Sequence, residues 1–96
     1  MPIEIDPSGA MPRALLEAAD FRGARVLEVG AGDGRLTFQY AAVPRSVVGI
    51  DTKEQDIRTA LPSAESRGNV QFLCASATAL PFSAEQFGIV VLASSL

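Results

Sequence analysis

Histidine is missing from this chain. Its absence removes the commonest general base and the commonest ligand of transition metals. A single cysteine, Cys74, excludes an internal disulfide, and with scattered carboxylates it makes no metal-binding spacing. Positive charge is also sparse: one lysine and seven dispersed arginines leave a net charge of −3. That balance argues against a nucleic-acid surface, which needs a basic face. Long apolar runs are lacking too. The longest, Ile89–Ala93, is far short of the ~20 residues that span a bilayer. No basic segment followed by an apolar stretch opens the sequence, so no signal peptide is expected, and a cytoplasmic protein is. Any chemistry must lean on a bound cofactor or on positioning.

What is present reads as one small globular domain over residues 1–96, since 48% of the residues are apolar and 20% charged. The organising stretch is Val-Leu-Glu-Val-Gly-Ala-Gly-Asp-Gly-Arg-Leu-Thr at 26–37. An apolar strand ends there in three glycines at alternate positions, Gly30, Gly32 and Gly34, and apolar residues at helical spacing follow. Glycine lacks a Cβ and tolerates positive φ, so a ligand can approach the main chain. The loop also feeds a helix start, whose unpaired N–H groups can receive a polar or anionic group.

Taken in order, residues 1–9 read as an irregular lead-in. A short amphipathic helix carrying Leu15, Leu16, Ala18 and Ala19 follows Pro12. Residues 24–29 form a first strand, apolar except for Glu28. Such a strand suits a parallel sheet covered on both faces. Leu36, Tyr40 and Val43 recur at helical spacing until Pro44. Residues 47–50 are a second strand with Asp51 at its carboxyl end. Thr52 and Gln55 have the spacing of a capping box, and Pro62 is expected to kink or end the helix they open. Residues 70–75 form a third strand, 78–83 a loop, 83–86 a single turn and 88–93 a fourth strand. Strands alternating with helices predict βαβ units and one open parallel sheet. Ligands of such sheets bind outside the carboxyl ends of the strands. The glycines, Asp51, Ser76-Ala77 and Ser94-Ser95 all fall there.

The glycine spacing separates two classes of nucleotide site. A dinucleotide turn wants a third glycine at position 35, which is Arg35. Gly34 makes the pattern Gly-x-Gly-x-Gly instead, with Glu28 two positions before it. This resembles motif I of the class I S-adenosylmethionine-dependent methyltransferases. Residues 47–51, Val-Val-Gly-Ile-Asp, resemble the family's second-strand motif. Residues 77–82, Ala-Thr-Ala-Leu-Pro-Phe, resemble the Leu-Pro-Phe loop of its small-molecule members. Residues 87–91 resemble its fourth-strand motif, and the likeness runs from about residue 14 to 96.

The resemblance implies an α/β, Rossmann-like open parallel sheet, truncated to about four strands in the order 3-2-1-4 with flanking helices. It implies S-adenosylmethionine as cofactor and methyl transfer to a small-molecule acceptor once missing strands or a partner complete the fold. Glu28 would help hold the methionine amino group, and Gly30, Ala31 and Gly32 would pass beneath the methionine part and ribose. Asp51, with Thr52 beside it, would take the ribose hydroxyls. Ser76 and Ala77 would face the adenine edge, and Leu80 would pack on its ring. No catalytic residue and no metal ligand is assigned.

Each residue has a plainer reading: the glycines as a tight turn, Asp51 as a partner of the next helix dipole, Leu80 and Phe82 as core. Cys74 reads as a small buried hydrophobe, and Asp33 and Arg35 as solvated. The family carries an acid where Ser76 stands and an aspartate where Gly88 stands. With four strands the last one, 88–93, is an apolar edge, which predicts a homodimer through it. The alternative function is a shortened, non-catalytic paralogue acting as a dimerising binding or regulatory module. A weaker third reading is an NAD-binding half-domain.

Overall fold

The computed structural model describes residues 2–5 and 12–93. Its elements in chain order are β1 (Pro2–Ile5), α1 (Pro12–Ala18), β2 (Arg25–Val29), α2 (Thr37–Tyr40), β3 (Ser46–Asp51), α3 (Glu54–Arg67), β4 (Val70–Cys74), a 3₁₀ turn (Ala84–Gln86) and β5 (Ile89–Ala93). The five strands form one sheet in the order β1-β5-β2-β3-β4, every pair parallel. The four strands expected from the sequence are β2, β3, β4 and β5, in the expected 3-2-1-4 arrangement.

The fifth strand is a correction. Pro2–Ile5, read as an irregular lead-in, pairs with β5 from Pro2 opposite Val90 to Ile5 opposite Ala93. The edge on which a homodimer was expected is therefore already taken by the chain itself. A four-residue strand bounded by turn-forming residues carries too little alternation to stand out in sequence.

Cover differs between the two faces of the sheet. Strand alternation and register place Val26, Glu28, Val47, Gly49, Val70, Phe72, Ile89 and Val91 on one face, and all are buried. Leu15 of α1, Tyr40 of α2 and Ile57, Ala60 and Ala64 of α3 join the apolar residues of this face in one core cluster. The opposite face buries Leu27 and Ile50 but leaves Leu73 and Leu92 each 38% exposed. The cover expected on both faces holds at β2, where Val26 and Leu27 are both buried, and thins among the described residues at Leu73 and Leu92.

Local signals fared unevenly. Pro62 neither ends nor splits α3, which runs on to Arg67 and closes at Gly68 with a left-handed φ of 75°. The missing proline N–H costs one helical bond, and burial of Ala60 and Ala64 on either side holds the helix together. Lys53, not Thr52, is the residue before α3, and no side chain caps it. Asp51 Oδ1 instead accepts the Lys53 N–H at 2.9 Å. The helix expected from Leu36 to Val43 is a single turn, with Val43 38% exposed. Cys74, expected to be buried, is exposed at the end of the edge strand β4.

Candidate functional site

The loop between β2 and α2 crosses the carboxyl end of the sheet, and its three glycines serve different ends. The amides of Gly30 and Ala31 both donate to the Ile50 carbonyl, at 2.9 and 3.0 Å, which pins the loop to β3. A Cβ on Gly30 would strike the backbone oxygen of Ala93 at the end of β5. A Cβ on Gly34 would lie 2.5 Å from the Phe38 ring and 2.9 Å from that of Phe72. Both glycines are therefore demanded by packing. Gly32 differs: its φ is +58°, yet nothing stands within 4 Å of where its Cβ would be. Of the three, Gly32 is the one with open space beside its backbone.

Beneath the loop, Gly49 leaves a hollow on β3. A side chain there would collide with the Phe72 ring at 2.6 Å and with the Ala31 Cβ at 2.9 Å. Phe72 can cross β3 and Ala31 can seat on the sheet because that side chain is missing. Arg67 then lies 5.0 Å over the Phe38 ring, which in turn packs on Phe72.

Asp51 stands where β3 ends and is only 8% exposed. Its Oδ2 accepts the Gly32 N–H at 2.9 Å, while Oδ1 accepts from Lys53. A carboxylate has about four acceptor sites, so two remain for a ligand. Around it lies a cavity of ≈ 200 Å³ lined by Val29, Gly30, Ile50, Asp51, Thr52, Ala75, Ser76 and Ala77. The ends of three adjacent strands thus converge, as an open parallel sheet requires of its ligand site. Ser76 and Thr78 share a hydroxyl contact of 2.9 Å, and Ser76 Oγ accepts the Thr78 N–H at 3.2 Å.

Five of the residues expected from sequence, Gly30, Asp51, Thr52, Ser76 and Ala77, therefore line one cavity. Gly32 is tied to it through Asp51, and Ala31 is the buried foot of the loop. Leu80 is half-buried in the following loop and is not among the lining residues. Ser94 and Ser95 lie outside the described residues. Val29, Ile50 and Ala75 were missed, because an apolar residue at a strand end looks like any other core position.

Glu28 needs a correction. Expected to meet the methionine amino group, it is fully buried, with no surface for a ligand to reach. Its Oε2 accepts the Thr37 hydroxyl at 3.0 Å and its Oε1 accepts the Tyr40 hydroxyl at 2.5 Å. Burial pushes the carboxyl up from 4.5 to about 7, against the opposite pull of the Tyr40 and Thr37 hydroxyls. Burial, followed by the adjoining Glu28 charge, also drives the Tyr40 phenol well above its ordinary value. The sequence signal was visible: an acid inside an apolar strand must find polar partners or a functional reason.

A parallel sheet with a glycine loop and an acid at neighbouring strand ends defines a Rossmann-like nucleotide-binding domain. The comparisons narrow the class. A family model described as a methyltransferase domain matches residues 26–96. A ubiquinone biosynthesis O-methyltransferase of Roseobacter denitrificans is 34% identical over 85 residues, covering 88% of this chain and 34% of that protein. The solved structure of YcgJ from Bacillus subtilis superposes with a TM-score of 0.75 at 27% identity, over 84% of this chain and 36% of that one. The [4+2]-cyclase SpnF also superposes, with a TM-score of 0.73 at 26% identity, over 82% of this chain and 31% of that one. The chain belongs to the class I S-adenosylmethionine-dependent methyltransferase family, whose cofactor is S-adenosylmethionine. It spans about a third of the length of the curated relatives it matches.

Proposed function

We propose that this chain binds S-adenosylmethionine at the carboxyl ends of β2, β3 and β4, and forms the cofactor-holding part of a methyltransferase acting on a small molecule. The observation that carries the reading is Asp51. A nearly buried carboxylate with spare acceptor capacity fastens the open Gly32 backbone and opens on the cavity shared with Ser76 and Ala77. A vicinal diol is the partner that such a carboxylate suits, because two hydroxyls can donate to it together.

When bound, the cofactor would supply a methyl group on a sulfonium, to be taken in line by an acceptor atom as the neutral thioether leaves. The residues of this chain position rather than react. Asp51 would take the ribose hydroxyls, Gly30, Ala31 and Gly32 would pass beneath the ribose and methionine part, and Ser76 and Ala77 would meet the adenine edge, with Thr52 and Leu80 at its margins. Positioning and exclusion of water carry most of such a transfer, so the lack of histidine is no obstacle. A neighbour that is a [4+2]-cyclase shows why the fold does not choose the reaction.

The same reading takes the protein as cytoplasmic, and as without a nucleic-acid partner, the latter supported by its net charge of −3. Two copies could pair through Ile89–Ala93 only if Pro2–Ile5 left that edge, so the proposal carries no homodimer. Calorimetric titration with S-adenosylhomocysteine and with NAD tests the reading. Saturable binding of the first and not the second is expected, abolished in Gly32→Val, whose side chain would fill the open space. NAD binding with no response to S-adenosylhomocysteine would refute it.

A further inference from the structure

Glu28 is a fully buried acid that the proposed site does not use. It lies on β2 two residues before the glycine loop, while Thr37 and Tyr40 belong to α2, which begins where the loop ends. Their hydrogen bonds therefore run as a chord from the entry of the loop to its exit. Thr37 and Glu28 are 0% exposed and Tyr40 is 1% exposed, so no ligand touches this cluster.

The chord matters because α2 cannot hold itself. Helices shorter than about 12–15 residues are marginal alone. This one has four residues, no side-chain cap and no charge suited to its dipole. What fixes it is Tyr40, packed edge-on against Phe21 at 5.6 Å and bonded to Glu28, together with Thr37. The N–H of Phe38 in turn donates to the Gly34 carbonyl at 2.9 Å, and that of Gly34 to Ala31 at 3.0 Å. A shift of α2 would thus pass straight back into the loop that carries Gly32.

We infer that Glu28 is a positioning residue of the cofactor site: its carboxyl group clasps Thr37 and Tyr40 and thereby holds residues 30–36 in the shape that accepts the ligand. This rests on the proposed reading for the identity of the ligand, but not for the clasp.

The surroundings make the clasp responsive to pH. On the adjoining strands Gly49 and Val91 stand in register with Glu28. Asp51, two residues beyond Gly49, is engaged with the amides of Gly32 and Lys53. Leu15 of α1 and Ile57 and Ala60 of α3 join the core with apolar side chains, and among the described residues Tyr40 is the ionisable side chain bonded to the carboxyl. Ionised, Glu28 accepts both hydroxyl protons. Neutral, its own proton competes for the same oxygens and one arm of the clasp is lost. With a carboxyl raised to about 7, that change falls near neutrality.

The test combines binding with hydrogen exchange on wild type, Glu28→Gln and Tyr40→Phe. Wild type should bind S-adenosylhomocysteine about tenfold more tightly at about pH 8 than at about pH 6, the equivalent of one hydrogen bond. Glu28→Gln should bind about tenfold more weakly at the higher pH and lose the pH dependence, and Tyr40→Phe should weaken binding similarly. In the free proteins, the amides of Gly34 and Phe38 should exchange about tenfold faster in both variants, with those of β3 unchanged. Wild-type binding and loop exchange retained in both variants would overturn the clasp and leave the cofactor reading standing. Exchange that quickens equally in β3 would also overturn it, since the group is then ordinary core. No binding by wild type, with the loop still loosened in the variants, would support the clasp and remove the cofactor reading instead.

Discussion

Glu28 and Asp51 sit on neighbouring strands, on the same face of the sheet, with Asp51 one alternation step further along. Their surroundings are opposite. Glu28 is sealed beneath the loop with two hydroxyl donors, whereas Asp51 reaches the rim, takes two backbone amides and borders a cavity. One acid shapes the loop from within and the other meets what the loop receives. The two-residue offset along the strands is enough to make that difference, because it carries a side chain from beneath α2 to the end of the sheet.

The comparison breaks most sharply at Glu28. Glu28→Leu leaves the hydroxyls of Thr37 and Tyr40 buried without their acceptor, each at a cost of about 2 kcal/mol. A loss of about 4 kcal/mol is expected in urea unfolding. A change below about 1 kcal/mol would place Glu28 with solvated acids.

Next in size is the pH dependence. The unfolded Glu28 carboxyl ionises above about 4.5, while the folded one keeps its proton up to about 7. Between those values the folded state binds more protons. The stability Glu28 contributes is thus complete below about 4.5 and fades as pH rises through about 7, by roughly 3 kcal/mol in all. Thermal melts across that window should show the decline in wild type and a flatter profile in Glu28→Gln. A parallel decline in the variant would assign it to other groups.

The loop joining the two acids sharpens the contrast with a smaller effect. Gly30→Ala drives a methyl group into the Ala93 carbonyl and should cost about 2–3 kcal/mol. Gly32→Ala meets only the strain of its positive φ, about 1 kcal/mol. Equal losses in chemical denaturation would erase the distinction between packed and open glycines. Smallest for stability is Asp51→Asn, about 1 kcal/mol, since one oxygen still accepts an amide. Its effect belongs in binding: affinity for S-adenosylhomocysteine should drop about tenfold or more. The reverse pattern, a large stability loss with binding intact, would make Asp51 a structural acid like Glu28.

Much of this was legible in the sequence for a definable reason. Apolar strands, breakers between them and the Gly-x-Gly-x-Gly spacing are local patterns, and local patterns predicted the strands β2 to β5 and the convergence of Gly30, Asp51 and Ser76, while the family resemblance implied the strand order. Signals that depend on competition between distant parts were harder to read. Pro62 looked like a helix stop because propensity ignores the packing of Ala60 and Ala64. Thr52 looked like a cap because its spacing to Gln55 says nothing of the Asp51 carboxylate that takes the Lys53 amide.

By itself, then, the sequence determined the parallel α/β sheet, the family and the end of the sheet where a ligand belongs, because each follows from residue spacing along one stretch of chain. Only the tertiary structure decided that Pro2–Ile5 closes the β5 edge, that Gly32 is the open glycine while Gly30 and Gly34 are packed, and that Glu28 lies buried while Asp51 borders the cavity. Those outcomes turn on which atoms from remote segments come to lie within a few ångströms. Spacing along a chain carries no such distance.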